Sequence, residues 1–461
     1  METADRSTPT QISDGVFYLV AGGCGLVAGI VGAAFHAIVD ALLGWPAWLV
    51  AHMSAGPLTV VVAAAIAAAG LVAAFFLTRR FAPEAAGSGV QEIEGAMEGV
   101  REVRWRRVLP VKFVAGVLAL ASGLVAGREG PTIHMGASIS AAAAEWLKVN
   151  RTDKHALFAA GAAAGLAAAF NAPLAAVLFI IEETRKQFPY TFRSYTAVMI
   201  ASGASAVGMG MVGGTAPPLG LASEAMPLWL LPAFILLGVV LGGLGILFNR
   251  CLVGALDWTT TTFQRAPYVP ALVVGATVGA LAIILPEAVG GGEIIIPGLV
   301  TAKLSLLTLL LIAVLRFAGT MASYPVGVPG GIFSPMLALA TAVGLAAALL
   351  IEVPLKLAGL ELPPMAGAAF AVAAMGGLFA ATVRAPLVAV VLAVELTGTY
   401  DLILPLMATC ATSNAVAEWL KGRPIYEMLL ERTLRLAGHP PRESQPEVSA
   451  PIGIDTGKDN R

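Results

Sequence analysis

Five stretches of this chain, residues 57–78, 156–181, 225–249, 317–351 and 362–383, contain no aspartate, glutamate, lysine or arginine. A helix crosses the hydrocarbon layer of a bilayer with ~20 apolar residues, so runs of this length constrain the fold more than any other feature. Charged residues make up 12% of the chain, against about 25% in soluble domains. Open sheets leave backbone groups unsatisfied in lipid, whereas helices satisfy their own. The sequence therefore predicts an all-α polytopic membrane protein, with the lipid bilayer as its surroundings. The 28 basic residues nearly balance the 29 acidic ones, which gives no reason to expect a nucleic-acid partner.

The apolar runs are not all simple crossings. Segment 304–315 is short and 385–394 shorter, while 317–351 exceeds one crossing and is interrupted by YPVGVPGG. Such interruptions are tolerated at membrane depth where they are buried in protein or line a cavity, so broken helices are expected. The chain also repeats itself. GLAAAFNAPLAAVLFIIEE (165–183) matches LFAATVRAPLVAVVLAVEL (378–396), aligning Pro173 with Pro386 and Glu182 with Glu395. GREGP (127–131) and GIFSP (331–335) share a G-x-x-x-P frame, and GSGVQEIEG (87–95) has a weaker echo in GGGEIIIPG (290–298). Three matches in the same order predict two structural halves, residues 15–225 and 226–435. Hydropathy alone leaves open whether they are inverted. Paired repeats with discontinuous helices put a transport site at the repeat interface.

Segment 1–14 is polar and lacks a basic stretch, which predicts no cleaved signal peptide. Segment 436–461 reads as a disordered polar tail. Basic residues gather at Arg79 and Arg80, from Arg101 to Arg107, around Arg185, Lys186 and Arg193, and from Lys421 to Arg435. The tendency of such residues to stay inside predicts a cytoplasmic C-terminal end. Cys24, Cys251 and Cys410 have no metal-ligand spacing and are expected to pack as small buried hydrophobes.

The glycine-rich segments GSGVQEIEG, GREGPTIHMG and GGIFSPM each precede an expected helix start, with Pro131 and Pro335 in first-turn positions. A helix start exposes unbonded N–H groups and the positive end of its dipole. Several such ends converging at the midplane form an anion site from partial charges, which hold an ion less tightly than a lysine would. Among these glycines stand Arg128 and Glu129, a charged pair in apolar sequence.

GSGVQEIEG, GREGP, FNAPLAAVLFIIEE, GGIFSPMLALA and GRPIY together resemble the CLC family of chloride channels and proton/chloride exchangers, most of all its bacterial exchangers, over roughly residues 15–435. The resemblance implies a CLC-type fold with two inverted-topology repeats and broken, tilted helices. It further implies a homodimer in the bacterial inner membrane with both termini cytoplasmic, and an antiporter whose partners are chloride and protons. A passive voltage- or pH-gated chloride channel of the same fold is the alternative. Carried over by motif, chloride would be bound by Ser88, by Tyr426 and by the backbone amides of Ile332 and Phe333. Glu129 would gate, its carboxylate replacing a transported ion and swinging aside when protonated. Glu183 would pass protons on the cytoplasmic side, and an acid there favours exchange over a channel. Gly87, Gly89, Gly127, Arg128, Gly130, Pro131, Gly331 and Pro335 would support the site.

Taken alone, Ser88 reads as a helix cap, Tyr426 as an interfacial anchor and His134 as a packed helix residue. Glu182 reads as structural, and Lys112 as a contributor to an anion funnel. Leu396 stands opposite Glu183 in the repeat, so any proton path is asymmetric. Gln91 replaces the proline of the family's usual GSGIP, which predicts a less rigid helix start. No cofactor or metal is implied: the chain has no G-x-x-x-x-G-K-[ST] loop, and its five histidines lack H-E-x-x-H spacing. An enzyme is accordingly not expected.

Overall fold

The computed structural model describes residues 12–53, 56–184, 191–213, 218–221 and 224–438. The expectations for most of the N-terminal segment and of the C-terminal tail, and for Arg185 and Lys186, lie outside them. The first half of the chain contains α1 (Asp14–Leu43), α2 (Trp45–Met53), α3 (Pro57–Phe81), α4 (Val90–Met97), α5 (Trp105–Ala121), α6 (Glu129–Trp146), α7 (Arg151–Phe170), α8 (Pro173–Glu183) and α9 (Phe192–Gly213). Then follow α10 (Leu231–Thr262), α11 (Val269–Ile284), α12 (Ile296–Thr301), α13 (Leu306–Ser323), α14 (Phe333–Leu357), α15 (Ala366–Val383), α16 (Pro386–Thr397), α17 (Ile403–Trp419) and α18 (Ile425–Leu436). Seven stretches among the described residues are long and apolar enough to cross a bilayer.

Neighbours repeat between the halves. In the first, α1 packs on α9 and α7, and α6 on α7; in the second, α10 packs on α17 and α15, and α14 on α15. The innermost helices are α15 and, beyond its polar first residues 151–155, α7; both are apolar all round there and rich in alanine and glycine. Lipid tails provide no hydrophobic drive between helices, so small side chains that allow close backbone approach hold such a core together.

The breaks repeat down to backbone angles. α7 ends on Asn171 and α15 on Arg384, both left-handed. The next residues, Ala172 and Ala385, have φ −127°, ψ 75° and φ −123°, ψ 77°, and Pro173 and Pro386 then open α8 and α16. Proline is tolerated at a helix start, where no N–H is needed. The weaker echo is also structural: Pro83–Ala85 and Pro286–Ala288 each form a 3₁₀ turn, followed by left-handed glycines at 87 and 89 and at 290 and 292.

Each of these turns is held by a buried cation. Lys112 of α5 donates to the carbonyls of Ala85 and Gly87 at 2.9 and 2.8 Å. Arg316 of α13 donates to those of Glu287, Val289 and Gly290 at 2.9, 2.8 and 3.1 Å. Lys112 is thus a backbone clamp with no exposed surface, which corrects its reading as part of an anion funnel. Because Arg316 is satisfied by carbonyls, α13 continues past the charge that ends the short apolar run, as far as Ser323.

Equivalent elements also meet each other, α3 against α11 and α8 against α16. The Glu182 carboxylate near the end of α8 accepts from the N–H groups of Leu387 and Val388 at the start of α16, at 3.3 and 2.9 Å. Glu395 returns the contact, accepting from Leu174 and Ala175 at 3.1 and 2.7 Å. Reciprocal end-to-start contacts make α8 and α16 antiparallel about a local two-fold, and the halves are inverted. The structural reading of Glu182 holds. Each carboxylate caps a helix start and complements its dipole, an effect of about 1–2 kcal/mol. Glu182→Ala and Glu395→Ala are each expected to lower the unfolding midpoint of detergent-purified protein by a few degrees and to similar extents. Unchanged midpoints would show that other groups replace the caps. Cys24 and Cys410 are buried as expected, whereas Cys251 is half-buried.

Candidate functional site

All three glycine-rich segments precede helix starts: α4 begins at Val90, α6 at Glu129 and α14 at Phe333. α4 does so with Gln91 in its first turn, where the family's proline is absent. The connecting backbone is stitched together by short bridges. Gly127 and Gly331 exchange both hydrogen bonds, at 2.9 and 2.8 Å. Gly87 donates to the Val328 carbonyl at 2.9 Å and accepts from the Gly330 N–H at 3.1 Å.

Glu129 lies inside this junction with no exposed surface. Its Oε1 accepts from the Phe333 N–H at 2.6 Å, so the carboxylate of one half sits on the first amide of the equivalent helix in the other. Its Oε2 accepts from the Ser334 hydroxyl at 2.9 Å. The close approach depends on glycine: a Cβ at Gly127 or Gly331 would lie 1.9 or 2.0 Å from a Glu129 carboxylate oxygen.

Ser88 and Tyr426 are fully buried beside the same junction. The α6 start leans on Ser88, since a Cβ at Gly130 would lie 2.6 Å from its Cα. Gly89, at φ +92°, lets the chain turn over the His134 ring. The Ser88 N–H donates to the Tyr324 hydroxyl at 3.3 Å. Among the described residues the neighbouring hydroxyl oxygens of Ser88 and Tyr426 have no hydrogen-bond partner of good geometry, an arrangement that costs ~1–3 kcal/mol per group when nothing else meets it. The Tyr426 ring packs edge-on against Phe333 at 5.7 Å, and Phe170, Phe179 and Phe379 surround Phe333 as well. Ile332 and Pro335 are buried at the same helix start.

The structure thus gathers Gly87, Ser88, Gly89, Gly127, Arg128, Glu129, Gly130, Pro131, Gly331, Ile332, Phe333, Pro335 and Tyr426. Glu183 stands apart, half-buried at the end of α8. Arg128 is held between two carboxylates absent from the sequence reading. Its guanidinium pairs with Asp40 of α1, and its Nε lies 3.3 Å from Glu293. Asp40 lies outside every motif, while Glu293, Ser334, Tyr324 and the three phenylalanines lie within segments singled out above without a role of their own.

One cavity, of about 480 Å³, reaches Arg128 and Glu293 past Leu43 at the end of α1. Another reaches Gly87 and Tyr324 past Thr260 near the end of α10. α1 and α10 are equivalent helices of inverted halves, so these cavities open on opposite faces. Among the described residues no group of three histidine, cysteine or acidic side chains is placed to hold a metal ion.

Inverted halves of broken helices, meeting at a buried carboxylate with a cavity from each face, define a membrane protein of the secondary-transporter architecture. The family model of the voltage gated chloride channel matches residues 69–418, and the chain belongs to that family. It is 40% identical over 450 residues to the H(+)/Cl(-) exchange transporter ClcA of Vibrio parahaemolyticus, covering 93% of this chain and 91% of the relative. The protein of the same name from Salmonella paratyphi B is 39% identical over 455 residues, covering 95% and 92%. Among solved structures, a slow cyanobacterial Cl-/H+ antiporter matches with a TM-score of 0.87 at 37% identity, covering 93% of this chain and all of that one. A CLC-type fluoride/proton antiporter, at 21% identity and a TM-score of 0.68 over 89% and 97% of the two chains, shares the fold.

Proposed function

We propose that this protein is a secondary antiporter exchanging chloride for protons, and not an enzyme. One observation carries the reading: the buried Glu129 carboxylate occupies the amide end of α14 as an anion would. A carboxylate is anionic only while deprotonated. Protonation weakens its claim on the Phe333 N–H, and a chloride ion then takes its place, so one group alternates between binding a proton and standing in for the anion. The Ile332 and Phe333 amides with the Ser88 and Tyr426 hydroxyls supply chloride ligands without a full positive charge, and the surrounding glycines, Arg128, Pro131 and Pro335 hold these parts in register. The unpartnered hydroxyls support this assignment, as do the names of the relatives, H(+)/Cl(-) exchange transporters. Glu183, half-buried at the end of α8, serves as the second proton station, a role supported by an ionisable side chain at that place in the FIIEE motif.

The bounds of the transporting unit are residues 15–225 and 226–435, related by inversion and preceded and followed by polar cytoplasmic segments. The protein resides in a bacterial inner membrane as a homodimer, each subunit with its own pathway.

Reconstituted vesicles with a chloride gradient and no initial pH difference test the function. Chloride leaving down its gradient is expected to drive protons inward, and Glu183→Gln to abolish proton movement while chloride flux persists. Chloride flux without proton movement in the unmodified protein would make it a channel.

A further inference from the structure

Glu129 has no contact with solvent, so a proton reaching it from the Arg128-side cavity needs an intermediary. Glu293 lines that cavity in the turn before α12, and about a fifth of its side chain is exposed. Its Oε1 lies 2.6 Å from the Ser334 hydroxyl oxygen, whose other carboxylate neighbour is Glu129 at 2.9 Å. A serine hydroxyl has one proton, and an ionised carboxylate only accepts. The hydroxyl therefore donates to one carboxylate, and the other contact is a hydrogen bond only if that second carboxyl carries a proton and donates it to the serine oxygen. Two carboxylates bridged in this way share a proton.

We propose that Glu293 is a further proton station, exchanging protons with Glu129 through the Ser334 hydroxyl on the face served by this cavity. In the outward step the Glu129 carboxyl gives its proton to the Ser334 oxygen as that oxygen gives its own to the Glu293 carboxylate. Glu129 ends ionised, Glu293 ends protonated, and Ser334 is unchanged. The reverse step loads Glu129. Arg128, 3.3 Å from the other Glu293 oxygen, keeps the acceptor aimed without occupying its Ser334-facing oxygen.

The titratable and charged groups facing this relay include the phenols of Tyr324 and Tyr426 on the Glu129 side. Arg128 and Glu129 come from the α6 start, and Asp40 and His36 of α1 lie on and near the Arg128 guanidinium. Beneath the turn sits Arg316 of α13, with Glu287 close to it. Arg128 is paired with both Asp40 and Glu293, and Arg316 with backbone carbonyls, so the Ser334 hydroxyl is the link between the Glu293 and Glu129 carboxylates.

The inference rests on the exchange reading and deepens it. The test is coupled chloride and proton flux in oriented vesicles as the pH on the cavity side is varied. With Glu293→Gln, half-maximal turnover is expected to move to lower pH on that side by about one unit, a tenfold rise in the proton concentration needed, with the dependence on the opposite face unmoved. Glu293→Asp should recover part of the shift. Ser334→Ala should reproduce it and Ser334→Thr, which keeps a hydroxyl, should not; this pair decides the matter if the Glu293 variants do not fold. An unchanged profile in Glu293→Gln and Ser334→Ala, with exchange intact, overturns the relay alone. Absence of proton movement in the unmodified protein overturns the exchange reading, and the relay with it.

Discussion

Replacing Glu129 by alanine is expected to stop proton movement while chloride continues to pass. The carboxylate is the group that carries a proton into the junction, and alanine removes it without disturbing the glycine bridge between residues 127 and 331, which is made by backbone atoms. The same change frees the Phe333 N–H from its 2.6 Å bond. A hydrogen bond to a charged group contributes about 1.5–3 kcal/mol, so removing this internal competitor should tighten chloride binding by roughly tenfold or more. Calorimetric chloride titration of purified protein reads the second effect and vesicle flux the first. Glu129→Gln keeps the shape and loses the titration, so it should uncouple as well. Proton movement that survives either substitution would mean that the junction carboxylate is not the proton carrier.

The largest effect on stability is expected at Arg316. Its guanidinium is fully buried and serves three backbone carbonyls of the 286–290 turn. Arg316→Met keeps the unbranched apolar stem but leaves these carbonyls without their donor, at ~1–3 kcal/mol for each buried group left unsatisfied. Three such losses exhaust much of a typical stability margin of 5–15 kcal/mol. Poor recovery of folded protein, or a midpoint lowered by well over ten degrees, is the expected outcome in detergent thermal unfolding. Arg316→Lys should be milder, since Lys112 performs the same service for the equivalent turn with two contacts. A midpoint close to that of the unmodified protein would show that the turn holds without the cation.

Local chemistry determined how much of this was legible in the sequence. Prolines 131, 173, 335 and 386 and the glycines around them mark helix starts because their backbone preferences act within a few residues. The internal repeat located both helix breaks and the reciprocal glutamates for the same reason. Asp40 and Glu293 were invisible as partners of Arg128, since they lie 88 and 165 positions away in the chain and only tertiary packing joins them. Lys112 was misread because a cation at the start of an apolar run looks the same whether it faces an ion path or a ring of carbonyls. Ser334 carried no signal beyond its place inside GIFSP, and its importance comes from two carboxylates on other elements. The Pro-Glu-Ala triplet at 83–85 and 286–288 was in view, but its meaning depends on the shared 3₁₀ turn.

The glycine bridge and the crossed glutamate caps have a bearing on ancestry. Both are self-complementary: residue 127 bonds 331 as 331 bonds 127, and Glu182 and Glu395 each cap the start of the other's own helix. Two separate copies of a half-length chain, inserted in opposite orientations, would close the same contacts with no new residue. Within one polypeptide the paired positions need not be identical. That freedom is visible where Glu129 faces Phe333 and where Glu183 has Leu396 as its counterpart, and it is there that an antiparallel pair of like parts acquired a direction.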